Sequence, residues 1–298
     1  MRVSRVDGDT LFGTTASTVT RIANRTGLNA GAILGASRRT GRHADASRDY
    51  FAVMMDLDVS DVAGYLARDA RKSVYIFDAW PAKHRQIIEL VRAWGIQYAF
   101  VSSSQAAERL AAAADRGTFI WVPEGIDVAR YRYRLPLERD IDVLQLGRKF
   151  DDHHRVIVPA LANAGKSYVF EKEKGKVIFP TREEFVNGLA RSRISICVPS
   201  SVTHPERAGD IETMTVRYLQ SMASRCLVLG HAPSEMIDLF GYNPVVEIDM
   251  SDPAGQILEL LAWYESYLGL IDKNYSVVAG HHTWDSRWSR MSEVLFPS

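Results

Sequence analysis

From residue 49 to residue 249 the chain alternates short apolar runs with amphipathic segments, and this rhythm restricts the fold more than any other feature. DYFAVMMD (49–56), KSVYIFDAW (72–80), IQYAFVSS (96–103) and TFIWVP (118–123) read as strands. They are continuously apolar rather than alternating, the pattern of strands buried on both faces of a parallel sheet. Between them, 60–70, 81–95 and 104–117 read as helices. The second of these has Pro81 near its start and Gly95 at its end.

The rhythm breaks at EGIDVARYRYRLPLER (124–139), which reads as a linker, and then restarts. Strands are expected at 140–147, 167–172, 193–200, 225–230 and 244–249. Helices are expected at 153–165, 181–192, 212–224 and 233–241, with a helical tail from 253. Two βα series joined by a linker predict an α/β protein with two Rossmann-like domains facing a cleft, the first shortened. The boundaries are 1–127 and 138–281.

Lys plus Arg and Asp plus Glu both number 36, so net charge gives no reason to expect a nucleic-acid partner. The basic run SRRTGRH (37–43) reads as a solvated loop, the alternative being contact with an anionic surface. Cys197 and Cys226 lie in apolar runs and are expected to be reduced core thiols of a cytoplasmic protein. No run of 18 apolar residues and no signal-peptide core are present, so no transmembrane segment is expected.

Ligands of open α/β sheets bind beyond the carboxyl ends of the strands. After 140–147 come Gly147, Arg148 and Lys149. Glycine permits a tight turn beside a ligand, and two cations there suit a diphosphate; the competing reading is a solvated basic turn. After the strand ending near 198 come Pro199, Ser200 and then Glu212, Thr213, Met214 and Thr215, read as the opening of a helix. Amides at a helix start bind anions, and Glu212 suits sugar hydroxyls. Plain capping is the alternative. Arg217 and Gln220 follow on the same helix. In the first series Asp78 and Trp80 end a strand, suited to orienting an acceptor hydroxyl and stacking on a sugar; an N-cap and a core ring are the alternatives.

Asp56 and Asp58 form a D-x-D pair, but Ser60 and Asp61 make that stretch read as a capped turn, and no metal is expected. The pairs His153-His154 and His281-His282 lack partners at metal spacing and read as solvated or capping. P-loop, G-x-S-x-G and G-x-G-x-x-G patterns are absent from the sequence.

Several fragments, taken in order, resemble the GT-B-fold glycosyltransferases of the group-1, family-4-like class, including its spore-protein-like branch. These are AFVSSSQAAERL (99–110), VPEGID (122–127), VLQLGRKF (143–150), VPSS (198–201), the pair Glu212 and Gln220 at E-x₇-E spacing, and HTWDSRWSRM (282–291). The resemblance implies a retaining, metal-independent hexosyltransferase with no cofactor beyond a nucleotide-sugar co-substrate, a UDP- or GDP-sugar. It implies Arg148, Lys149 and Glu212 as catalytic. Donor contacts fall to Gly147, Ser200, Thr213, Met214, Thr215, Arg217 and Gln220. The first domain would take a glycan, lipid-linked or small-molecule acceptor, with peripheral membrane contact one route to it, and the helix at about 282–298 would pack back on that domain. Three departures stand out. Gln220 replaces the second Glu, His153 stands where the family has Lys, and the loop 201–211 is long, which makes Glu206 a rival of Glu212. Lys149 or Arg155 are the expected substitutes for the missing Lys. A catalytically silent relative that binds a sugar nucleotide or a partner is the alternative.

Overall fold

The computed structural model describes residues 49–55, 57, 66, 69–147, 149–173 and 175–297. Arg148, Asp56, Asp58, the helix expected at 60–70 (save Leu66, 69 and 70) and the basic run at 37–43 lie outside the described residues. The chain divides into two compact units between Val122 and Pro123.

The first unit holds a parallel sheet of β1 (Asp49–Met55), β2 (Arg71–Phe77), β3 (Tyr98–Val101) and β4 (Thr118–Trp121), in that spatial order. Val74, Ile76, Ala99, Phe100 and Val101 are fully buried, as continuous apolar runs require. Helix α1 (His84–Trp94) buries Ile87, Val91 and Trp94, one stripe at i, i+4 and i+7. Gly95 stops it in the left-handed region, at φ 61°. Helix α2 (Ser104–Ala113) starts where the Ser103 hydroxyl accepts from the Ala106 amide, and ends four residues earlier than expected.

The second unit holds β5 (Ile141–Gln145), β6 (Tyr168–Phe170), β7 (Ser192–Cys197), β8 (Leu227–Gly230) and β9 (Val246–Glu247). All pairs are parallel, in the order β6-β5-β7-β8-β9. The chain therefore steps to one side of β5 and then returns to its other side. The topological switch point falls between β5 and β7, where open α/β sheets place their ligands.

The helices here are α3 (Asp151–Asn163), α4 (Arg182–Ala190), α5 (Ser200–Thr203), α6 (Pro205–Ala208), α7 (Val216–Ala223), α8 (Ser234–Phe240), α9 (Pro253–Ala262), α10 (Leu268–His281) and α11 (Trp284–Leu295). Val143, Ile157, Leu161, Leu227 and Ile257 fill the core between the sheet and the α3/α9 layer. Met214, Tyr218, Leu219, Met222 and Val278 fill the core where α7 lies.

Two expectations are corrected. The helix expected from residue 212 begins at Val216, because the donors of the preceding residues are taken by a distant side chain, described below. The 201–211 segment carries two one-turn helices rather than a loop, and Pro205 starts the second. The expected linker folds as two 3-10 turns, Val128–Arg130 and Pro136–Glu138. Helix α11 is tied to the segment just after Val122. Arg287 Nε donates to the Pro123 carbonyl at 2.9 Å, and Ile126 bridges to Thr283. A Cβ at Gly125 would stand 2.9 Å from the Trp284 amide nitrogen, so the approach of these two segments requires glycine.

Candidate functional site

The mouths of β5, β7 and β8 gather most of the described polar residues singled out above. Gly147 follows β5 with φ 69°, a conformation that side chains other than glycine adopt only at a cost. The Arg217 guanidinium, from the first turn of α7, lies directly over it. A Cβ at Gly147 would stand 3.2–3.4 Å from that group, and Arg217 Nη1 donates to the Leu146 carbonyl at 3.1 Å. The bare backbone at 147 thus makes room for a cation at the switch point.

Lys149 sits beside it, but its ammonium donates to the Glu171 carbonyl at 2.7 Å and lies 5.4 Å from the Phe170 ring centroid. Arg155 turns to Asp152 on its own helix, 3.2 Å away. His153 is fully buried in the first turn of α3, and burial, reinforced by neighbouring His154, pulls its pKa down to about 4. The solvated reading of this histidine is therefore wrong, and the position carries no charge at neutral pH. The same holds for His282, buried beside Arg287, whose pKa falls to about 4 by burial first and by the charge of Arg287 second. His154 packs against Tyr168, whose hydroxyl lies 2.8 Å from its Nδ1 and donates to Gln145 at 2.5 Å.

Ser200 opens α5 just past β7. Residues 212–215 cross the mouth outside any helix or strand, and Thr215 has β-region backbone. Glu235, on α8 and 3% exposed, holds them: its Oε1 accepts from the Thr213 hydroxyl at 2.9 Å and the Met214 amide at 2.7 Å. Two donors expected to face a phosphate are thereby directed inward, and Met214 is fully buried. Thr215 is the N-cap residue of α7. The Val216 amide donates to Glu124 Oε2 at 2.8 Å, so a carboxylate of this chain already rests on the anion-favouring end of the helix.

Glu212 is half-buried at this mouth, 3.3 Å from His231 Nε2, and His231 follows β8. The rival Glu206 is exposed on α6. Gln220, one turn on from Arg217 in α7, lines a cavity of about 630 Å³ with Val216, Gly125, Arg130, Arg182 and Trp284. Sequence reasoning missed Glu235 and His231. Neither sits in a motif, and their position after β8 was the one available signal.

In the first unit Asp78 follows β2 with φ 54° and its carbonyl accepts from the Trp80 amide at 2.8 Å. It is not the N-cap residue of the turn at Pro81–Lys83; that place is taken by Trp80. Trp80 is 4% exposed, so its ring is core and presents no face to a sugar. His84 leans back onto the Ala79 carbonyl at 3.0 Å; burial lowers its pKa and outweighs that bond.

No protein-family model matches the sequence, and no match to a curated protein reaches significance. Solved structures do resemble the chain. Pneumococcal O-GlcNAc transferase GtfA, in complex with UDP and GlcNAc, superposes with a TM-score of 0.53 at 11% identity over 90% of this chain. This chain spans 60% of the length of GtfA. Anabaena HepE, in complex with UDP, gives 0.58 at 10% identity over 89% of this chain and 82% of its own length. The fold is the mixed α/β, parallel-sheet fold of these proteins, the GT-B type expected from the sequence. No helix among the described residues is long and apolar enough to cross a membrane.

Proposed function

We propose that the chain is a GT-B glycosyltransferase of the family-4-like class. It moves a hexosyl group from a UDP- or GDP-sugar to an acceptor hydroxyl, with retention and without a metal, in the cytoplasm. The observation that carries this reading is the Arg217 guanidinium over the bare backbone of Gly147 at the β5/β7 switch point, with Glu212 at the neighbouring mouth. The GtfA and HepE likenesses support the same fold and so the same use of the strand mouths.

In this reading Arg217 binds the diphosphate, assisted by Arg148 of the Gly-Arg turn. It takes the part that His153, buried and neutral, does not play. Lys149 stiffens the β6 mouth, where Phe170 offers a ring for the nucleobase. Glu212 accepts from sugar hydroxyls. Ser200 and the Thr215 end of α7 line the phosphates once Glu124 moves off the Val216 amide. Transfer then rests on positioning and on stabilising the departing diphosphate, whose oxygen receives the acceptor proton. The acceptor, a glycan, a lipid-linked sugar or a small molecule, is bound by the first unit near Asp78.

The buried His153 and the amide at Gln220 favour a second reading, a sugar-nucleotide binder without turnover. A panel of UDP- and GDP-sugars, assayed for hydrolysis and for transfer, separates the two. Turnover that survives both Arg217→Ala and Glu212→Ala would defeat the site assignment. Binding without turnover on every donor would favour the second reading.

A further inference from the structure

Glu212 is held at its place in the β8 mouth by a chain of side chains from the far edge of the sheet. His231 lies between two carboxylates: its Nε2 is 3.3 Å from Glu212 Oε1, and its Nδ1 is 3.1 Å from Glu247 Oε2. Glu247 is fixed in turn. Its Oε1 accepts from the Ala232 amide at 3.0 Å and from Asn243 Nδ2 at 2.9 Å, and its backbone is registered against Gly230 in the β8/β9 pair. The backbone of His231 is fixed independently, because its carbonyl accepts from the buried Tyr218 hydroxyl at 2.6 Å. Each ring nitrogen faces a carboxylate oxygen, so the ring stands as a bridge between two acidic side chains across the mouth.

We propose that His231 is a positioning residue for the donor sugar: clamped by Glu247, it sets the orientation of Glu212 and thereby which hydroxyl configuration the site accepts. The proposal rests on the reading of Glu212 as the acceptor of sugar hydroxyl bonds. A carboxylate has about four acceptor sites on two oxygens, so one bond to His231 fixes its plane without exhausting it. A site built to accept from a hydroxyl discriminates strongly against a sugar whose hydroxyl points elsewhere, since its own polar group is then left unmatched. A Glu212 that has lost the His231 contact would lose part of that discrimination while leaving the nucleotide contacts at Gly147 and Arg217 intact.

The test is calorimetric binding of UDP, UDP-glucose and UDP-galactose to wild type, His231→Ala, His231→Gln and Glu212→Ala. In wild type one C4 epimer binds more tightly than the other. In His231→Ala that preference falls by about tenfold or more, toward parity, as for loss of one charge-assisted hydrogen bond. UDP affinity stays within about twofold. His231→Gln, which retains one N–H donor, recovers part of the preference, and its melting temperature shows whether the fold is intact. The double variant His231→Ala/Glu212→Ala loses no more than Glu212→Ala alone. Parallel loss of UDP and UDP-sugar binding, additive loss in the double variant, or an unchanged epimer preference in His231→Ala overturns the proposal. So does a wild type that binds UDP without epimer preference. If Glu212→Ala also leaves the preference unchanged, the sugar-site reading fails with it; a wild type that binds none of the three ligands and no GDP or GDP-mannose removes the donor-site reading itself.

Discussion

Gly147→Ala strikes the contact on which the nucleotide site is built, and its cost is worked out from two terms. The first is backbone: at φ 69° a non-glycine residue costs about 1–2 kcal/mol. The second is displacement. The new methyl would stand 3.2 Å from Arg217 Nη1 and 3.3 Å from its Cζ, closer than a relaxed contact, so the guanidinium must swing away and release the Leu146 carbonyl. A hydrogen bond from a charged group contributes about 1.5–3 kcal/mol when well shielded; Arg217 is only half-buried, which brings the term to about 1 kcal/mol. The sum is about 2–3 kcal/mol. In an Arg217→Ala background the second term is already gone, and Gly147→Ala should cost only the backbone part. Urea unfolding of wild type, both single variants and the double variant measures this as a coupling of about 1 kcal/mol. UDP affinity, titrated on the same four proteins, should fall in each single variant and fall little further in the double. Additivity within about 0.5 kcal/mol in unfolding, with UDP affinity unaffected by Gly147→Ala, would refute the reasoning.

Glu235→Ala strands two buried donors, the Thr213 hydroxyl and the Met214 amide, and should cost about 2–5 kcal/mol in urea unfolding while weakening UDP binding through the loosened 212–215 segment. Glu124→Gln keeps a hydrogen-bond acceptor at the Val216 amide but removes the resident charge, so UDP should bind more tightly in calorimetry; weaker binding would mean that Glu124 supports the site rather than competing for it. His153 and His282 are held near pKa 4 against an ordinary 6.5, so below pH 6.5 the unfolded chain binds protons that the folded chain refuses. Stability should therefore fall as pH drops from 6.5 to 4, by on the order of 3 kcal/mol per histidine, and pH-dependent urea unfolding of His153→Gln and His282→Gln should show a shallower slope than wild type.

Much of the fold was legible because its signal is local. Uninterrupted apolar runs such as SVYIF and ISIC announce strands buried on both faces, and Pro81, Gly95 and Ser103 mark helix ends by their own backbone and side-chain chemistry. What misled was tertiary. Glu212 to Thr215 resembles a capped helix start, but Glu235, more than twenty residues on, takes the Thr213 and Met214 donors and the segment stays outside the helix. His153 beside His154 looked solvated, yet the first turn of α3 turns one ring into the core and the other toward Tyr168. Trp80 stood at a strand end and could be read as exposed or as core; its 4% exposure decides for core. The cation that best fits the diphosphate was among the residues singled out, but its importance was not. Arg217 gains its place from Gly147, seventy residues away, a proximity that only the packing of α7 on the sheet at β7 and β8 creates.

The account's central claim is that a nucleoside diphosphate binds at the β5/β7 switch point of the second unit. Crystal structures of the chain soaked with UDP and, separately, with GDP test it most directly. The diphosphate should lie against the Gly147 turn, within about 2.7–3.2 Å of the Arg217 guanidinium, with Glu212 facing the vacant sugar position. A diphosphate bound away from the Gly147 turn and Arg217, or neither nucleotide at the strand mouths at saturating concentration, would contradict it.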